Sequence, residues 1–500
     1  MLLGTLGLVL ETFLARVLLA PALGPVRFGY FLLGLALAGL IATFGALGLP
    51  QTVARSLPFA KVADERRGIV RESVVLGVAT AAVASGGLIL LGFYIGISNT
   101  EFGLALIFFG ASLFFSLVSS LIASIFQGHE DVYPNALFVQ ILNPLIFLAF
   151  LAAFWLAPPA GLSFTEALTS YLIANVITLV GLTLYAQQRL RRILPRGPRA
   201  LGVRAKLLAF ALPLFIVGIF SYVTQNGDTL LLGIFHINTV GLYGAPLTLA
   251  RLLQVGLGSL AYIFLPVTSR FVASDNPEAV RTTYTTVTKW TVLTSLPLFL
   301  VFFFLPAESL GFVFGHSYIG ETLPLQILVV GAFLSVVVGP AVAVMVSTGR
   351  TRLLTYNTII SAATDVVLSL LLIPPLGVLG AAIAWATANA LFTTLAAVEI
   401  AVLDRVHPFQ RHYVVPLLAT GIPLAIALVF VSTVTVPNWG LVALVLGIAL
   451  VFVLLVVVTG SIDDGDRLLL EVVENTLGRR LPLLRRFGRW GMTFSRSAPP

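Results

Sequence analysis

An all-α membrane protein of many passes is the fold class this sequence predicts, and three observations predict it. Of the 500 residues 58% are hydrophobic and only 10% charged, against about 25% charged in a soluble globular chain. Mean hydropathy is +1.03. Apolar runs long enough to cross a bilayer, which takes about 20 residues, alternate with short polar breaks. Lysine and arginine fall almost entirely on every second break.

The runs lie at 1–19, 28–53, 73–97, 102–126, 137–157 and 166–186, then at 207–235, 242–267, 287–305, 322–346, 355–373, 378–403, 414–434 and 440–459. They make about fourteen transmembrane helices. Residues 1–19 could pass for a signal peptide, but they lack a basic start and a second full run follows at once, so they read as the first span. If that span runs outward, the inward breaks receive the cations of 55–72, 187–206, 270–289, 349–352 and 404–411 and of the tail. Arg27 is then left outside, and Arg16 and Arg251 fall within spans. Positive charge stays on the cytoplasmic side, so both termini are expected in the cytoplasm of a multi-pass cell-membrane protein. The pI near 9.9 then points to anionic cytoplasmic lipid as a partner rather than to nucleic acid.

Several chemistries have no support. The chain has no cysteine, which removes disulfides and thiolate chemistry. His129, His236, His316, His407 and His412 show no metal-ligand spacing, and no GxxxxGK phosphate loop occurs. No metal and no cofactor are expected. After the last run, Asp463, Asp464 and Asp466 precede an apolar-basic stretch with Arg479, Arg480, Arg485, Arg486 and Arg489. Acids at its start and cations beyond suit a helix on the membrane surface.

The chain also repeats itself. The segments at 28–55 and 240–270 share a glycine-aromatic opening, a small-residue middle and a Pro-then-Arg exit. Aligning Gly29 with Gly241 sets Arg16 opposite Asp228, each thirteen residues upstream. Asn135 and Asn143 stand eight residues apart after a cytoplasmic glycine turn, as do Asn357 and Asp365. The expected organisation is two pseudo-symmetric six-helix bundles, 1–186 and 207–403, joined by a basic linker at 187–206. Two additional spans at 404–459 and a basic amphipathic tail at 460–500 follow. Parallel repeats of this kind are a transporter device, with the site between the halves.

Charges inside spans are the candidate functional groups, because an ionisable side chain at mid-bilayer costs roughly 2.5–3.5 kcal/mol on insertion scales and needs a partner or a wet cavity. At about 1.5 Å per residue Asp228 lies about 11 Å below Phe235, and Arg251 about 14 Å below Leu242 on the return span. They are at similar depth, so Asp228 pairs with Arg251 or, across the repeat, with Arg16. Neutralisation that locks two helices is the reading that needs no substrate. Glu11 and Asp365 each sit about 15 Å from the cytoplasmic end of their spans. They are candidates for ion coupling, since a buried carboxylate can change protonation during a cycle. The plainer reading of Asp365 is hydrogen bonding to Thr364, Ser361 or Asn357.

The stretch PLFIVGIFSYVTQNGDTLLLGIFHINTVGLYGAPLTLARLLQVGLGSLAYIFLPVTSRF resembles the seventh and eighth spans of flippases for polysaccharide or oligosaccharide lipids. These belong to the MOP (multidrug/oligosaccharidyl-lipid/polysaccharide) exporter superfamily, in which the Asp, the Gly-Leu-Tyr and the final Pro recur. FVFGHSYIGETLPLQILVVGAFL is similar to the outer loop and tenth span, and STGRTRLLTYNTIISAATDVVLSLLLIPPLGVLGAAIAWATAN to the eleventh and twelfth. Ala22 stands ahead of Leu-Gly-Pro, where the family usually carries Arg. The resemblance implies a monomeric transporter, not an enzyme. It would move a lipid-linked oligosaccharide on polyprenyl phosphate or pyrophosphate to the outer leaflet by alternating access. By charge and depth, not by the resemblance, Arg16, Arg251 and Asp228 are the residues that would line its cavity, the two arginines to hold phosphate. A cation-coupled multidrug exporter of the same fold is the alternative. A membrane glycan polymerase or ligase would need an outer-loop catalytic group, for which Glu308, His316 and Glu321 are the candidates.

Topology is open to direct test on this cysteine-free background. Ser317→Cys, in the longest outer break, is expected to react with a membrane-impermeant thiol reagent from the outside only. Labelling from the cytoplasmic side alone would invert the scheme.

Overall fold

The computed structural model describes residues 2–60, 62–156, 161–193, 203–409, 411–432, 447 and 451–452. Most of the fourteenth run at 440–459, the tail at 460–500 and positions 194–202 of the linker lie outside the described residues. Within them every regular element is helical and no strand occurs. Ten helical stretches are long and apolar enough to cross a membrane, and shorter apolar helices add to them. The count of fourteen is an expectation carried by the sequence.

The chain divides into two compact units, Met1–Gly244 and Ala245–Pro500. The first opens with α1 (Leu2–Ala46), which is two spans in one, because Gly24 breaks it at φ 73° and ψ 168° between Pro21 and Pro25. A side chain rarely adopts that backbone conformation, so glycine turns the chain with almost no loop. The second apolar run does not continue to residue 53 as one helix. It stops at Ala46, and after a turn at Leu47 and Gly48 a separate α2 (Leu49–Phe59) begins. Arg55 of α2 lays its guanidinium 4.3 Å over the Phe210 ring.

Next come α3 (Ala63–Gly96) and α4 (Thr100–Gln127), packed tightly along their length. A Cβ on Gly103 would stand 2.4 Å from the Gly96 Cα, so the backbones meet with no room for a methyl group. Ser85 Oγ donates to the Gly110 carbonyl at 2.7 Å across the same seam. Small residues and interhelical hydrogen bonds hold membrane helices together, since lipid supplies no hydrophobic drive between them. A π-helical stretch (Asn135–Leu142) leads into α5 (Asn143–Leu156). Ser163 and Glu166 cap α6 (Phe164–Ile193) reciprocally. Helix α7 (Val203–Phe235) packs on α1, α2 and α3. This unit therefore takes in α7, which the repeat assigns to the second bundle; the division at 187–206 stands as a proposal about the duplication.

A 3-10 turn (Ile237–Thr239) precedes α8 (Val240–Leu252). The second unit holds the rest of α8, then α9 (Val255–Ala273), α10 (Pro277–Phe304) and α11 (Pro306–Phe314). A 3-10 stretch (His316–Glu321) leads to α12 (Thr322–Val337) and α13 (Ala341–Ser347), followed by α14 (Thr351–Leu376), α15 (Val378–Leu403) and α16 (Arg411–Ser432). Two runs read as unbroken are interrupted. The run at 242–267 breaks at 253–254, and the run at 322–346 breaks at Gly339 and Pro340. Helix α10 starts ten residues earlier than its apolar run, capped by Asn276, whose side chain accepts from Ala279 N–H at 3.0 Å. It packs against α9, α12 and α16. At the polar end of α14 and α15, Arg350 grips Asp404 with two bonds of 2.8 and 2.5 Å.

The α3–α4 seam yields a stability test. Gly103→Val forces overpacking and is expected to cost about 1–3 kcal/mol, whereas Gly86→Ala, whose Cβ would meet nothing within 4 Å, is expected to leave thermal unfolding in detergent unchanged or slightly raised.

Candidate functional site

In the first unit the polar side chains of α1, α5 and α6 gather inside the membrane-spanning region. Glu11 is half-buried and accepts from Thr12 Oγ1 at 3.3 Å. It lies in electrostatic range of Arg16, five residues on, and of Tyr171 on α6. One turn above Tyr171, Asn175 donates to the Tyr171 carbonyl at 2.9 Å. Asn143, the first residue after the π-helical stretch, donates to Thr178 Oγ1 at 3.0 Å. Sequence reasoning found Glu11 and Arg16 by their charge. It marked Asn143 only as a repeat landmark and missed Tyr171, Asn175 and Thr178, whose neutral side chains look like ordinary packing groups.

Asp228 is fully buried in α7, where its Oδ2 accepts a hydrogen bond from the Tyr243 hydroxyl. Tyr243, equally buried, is the Tyr of Gly-Leu-Tyr in the first turn of α8. Sequence reasoning looked for a countercharge and overlooked this phenol, although the motif was in plain view. The glycine of the same motif brings the start of α8 against α1. A Cβ on Gly241 would fall 1.9 Å from the Pro25 carbonyl oxygen, and one on Gly29 would fall 2.6 Å from the Gly241 nitrogen. Tyr30 Oη donates to Asn238 Oδ1 at 3.0 Å and accepts from Asn99 Nδ2 at 2.9 Å, so this end of α1 is bonded to both neighbours.

Arg251 belongs to the second unit, half-buried in the last turn of α8. A helix C-terminus favours a cation by its dipole. Directly after it the helix breaks, and Ser295 Oγ of α10 takes the Leu253 carbonyl at 2.8 Å while Gln254 Nε2 donates to Ser335 Oγ at 2.9 Å.

Asp365 is 1% exposed in a buried seam of α14 formed by Asn357, Ser361, Asp365 and Ser369, four residues apart each time. Two of the hydroxyl protons nearby are committed elsewhere. Ser361 donates to the Ala388 carbonyl and Thr364 to the Ile360 carbonyl, both at 2.8 Å, so neither donates to Asp365. Asn357 donates to Glu399 Oε2 on α15 at 2.7 Å. Glu399 escaped notice because it sits within an apolar run. So did Lys289, which was placed in an inward loop and is instead inside α10, 1% exposed. The threonine-rich start of α10 lowers the local hydropathy and hides the first three turns of the span. Glu308, His316 and Glu321 lie on α11 and the 3-10 stretch after it.

A family model described as "Polysaccharide biosynthesis protein" matches residues 1–272, more than half of the chain. The chain belongs to the polysaccharide biosynthesis protein family. No curated protein sequence matches it. Among solved structures, this family member is similar to the lipid II flippase MurJ in an inward closed conformation, with TM-score 0.69 at 13% identity over 92% of this chain and 97% of that one. It is also similar to an inward-facing multidrug resistance MATE family transporter of the MOP superfamily, with TM-score 0.62 at 16% identity over 81% and 99%. A MOP superfamily transporter from Pyrococcus furiosus follows, at TM-score 0.51 and 16% identity over 79% and 91%. At these identities the likeness is one of fold: this chain has the fold of the MOP superfamily.

The Tyr243 bond makes a prediction about folding. Tyr243→Phe deprives a buried carboxylate of one donor and is expected to lower unfolding stability by about 1–3 kcal/mol. Denaturation in detergent measures it, and an unchanged midpoint would show that the bond contributes nothing.

Proposed function

We propose that this protein is a transporter, not an enzyme. It moves a lipid-linked oligosaccharide, carried on polyprenyl phosphate or pyrophosphate, from the cytoplasmic to the outer leaflet by alternating access. The family match over 1–272 carries the reading. The fold shared with a lipid II flippase agrees with it, as do cations inside spans at Arg16 and Arg251, because a phosphate headgroup in a low-dielectric site calls for charge-assisted donors. Arg16, Arg251 and Asp228 are the proposed substrate-binding residues, and Glu11 and Asp365 the proposed ion-coupling residues. The protein would act as a monomer in the cell membrane with both termini in the cytoplasm, beside anionic lipid.

A cation-coupled multidrug exporter is the second reading, favoured by the fold shared with a MATE transporter. It would prefer acidic and aromatic walls for cationic drugs.

Reconstituted vesicles separate the two readings. The flippase reading expects a fluorescent lipid-linked oligosaccharide to cross and a cationic dye to be ignored; the reverse would install the exporter. In the same vesicles Arg251→Gln is expected to abolish transport, and Asp228→Asn with Arg251→Gln to fold yet stay inactive. If Asp228 served only to neutralise Arg251, the double change would restore what either single change loses, since an uncompensated buried charge costs about 3–5 kcal/mol. Recovery of full transport in the double variant would remove Arg251 as a phosphate ligand.

A further inference from the structure

Helix α10 carries two cations, Arg281 and Lys289, and its one acid is Glu278 in the first turn. It therefore brings net positive charge into the second unit. Lys289 lies about 18 Å along the helix from Pro277, near the middle of its length. Arg281, Thr285 and Lys289 follow at spacings of four, which places them along one side of the helix. Arg281 Nε is buried and makes no hydrogen bond. Around Lys289, Thr285 donates to the Arg281 carbonyl, Thr288 to that of Tyr284 and Thr291 to that of Val287. The Lys289 ammonium itself stands 5.9 Å from the centroid of the Trp290 ring.

The helix breaks of the second unit are both held by side chains of α10. The break at 253–254 frees the Leu253 carbonyl, which Ser295 takes, and the break at Gly339 and Pro340 exposes the Val338 carbonyl, which Tyr284 Oη takes at 2.7 Å. A Cβ on Gly339 would meet Thr288 Oγ1 at 2.3 Å. Lys289 thus lies on α10 between the two residues that bind the broken helices, with Arg251 beside the first break. Discontinuous helices around a mid-membrane charge are a transporter's way of building a binding site. An ammonium enclosed in a span is costly, and lysine serves as a compact point charge for phosphate.

We propose that Lys289, with Arg281 on its cytoplasmic side, forms an anion-binding position in the second unit for a phosphate or pyrophosphate group, occluded in this state. Assigning that group to a lipid-linked substrate rests on the flippase reading.

The test uses the full chain and three probes: polyprenyl phosphate, inorganic pyrophosphate and uncharged polyprenol. Lys289→Met is expected to bind polyprenyl phosphate about 10- to 100-fold more weakly with polyprenol affinity unchanged, the size of one lost hydrogen bond to a charged group. Lys289→Arg keeps the charge and is expected to retain more of the polyprenyl phosphate binding than Lys289→Met. Equal binding of polyprenyl phosphate by the parent and Lys289→Met overturns the inference and leaves the flippase reading standing. Binding of pyrophosphate but not of the lipid, with the same loss in Lys289→Met, supports the anion position and overturns the lipid-linked substrate. A parent that binds neither phosphate probe overturns both. If Lys289→Met does not fold, acylation of Lys289 in the parent by an amine reagent decides. Slowing by polyprenyl phosphate and not by polyprenol supports the position, and equal slowing or none overturns it.

Discussion

Hydrocarbon offers no hydrogen-bond partners, so every charge and every backbone group freed from a helix has to be satisfied by other protein groups. That constraint organises what is seen here. Asp228 has the Tyr243 hydroxyl, Asn357 has Glu399, and the carbonyls of Leu253 and Val338 have Ser295 and Tyr284. Each bond is made between helices, so the groups that are costly to bury also set which helices lie side by side. Apolar packing alone would leave this underdetermined, because a leucine is as comfortable against lipid as against another leucine.

Hydropathy made the class and most spans legible, because a long apolar helix is recorded in the average over some twenty residues. The same averaging hid what happens within one turn. Gly24 and the Leu-Gly-Pro around it fold one continuous helical stretch into two spans, and the breaks at 253–254 and at Gly339 vanish into runs that remain apolar throughout. Lys289 was lost for the opposite reason: Thr282, Thr283, Thr285, Thr286 and Thr288 drag the window down, so the third residue of the 287–305 run was counted with the cations of the loop before it. Charged candidates were easy to find and their partners were not. A phenol fifteen residues from Asp228, or a glutamate forty-two residues from Asn357, becomes a partner only through the packing of two helices, and no local pattern records it.

The proposed repeat set Gly29 opposite Gly241. Gly29 and Gly241, equivalent by the internal alignment, stand in backbone contact, and neither position has space for a methyl group. Glycine at both therefore has a steric reason independent of ancestry. Around that contact Tyr30 joins Asn99 and Asn238, and Arg27 pairs with Glu101 at 2.6 Å. Any motion of α7 and the start of α8 away from α1 has to separate a backbone contact whose polar neighbours remain wet at one end. The Arg27–Glu101 pair joins α1 to α4 and would survive such a motion; as an exposed ion pair it contributes about 0–1 kcal/mol.

The irregular places in the helices and the costly side chains fall together. The Gly24 break comes eight residues after Arg16, the π-helical stretch ends at Asn143, the α8 break follows Arg251, and the Gly339 break sits against Thr288 next to Lys289. A straight helix keeps its carbonyls and N–H groups to itself. An interrupted one has them to offer, and offers them where no water competes. Charges placed at such points gain polar backbone as company. A salt bridge buried in regular helix would be harder to open, since removing either partner strands the other. On the proposed function, in which an anion is bound and then released, the broken helix is the cheaper place to keep a cation.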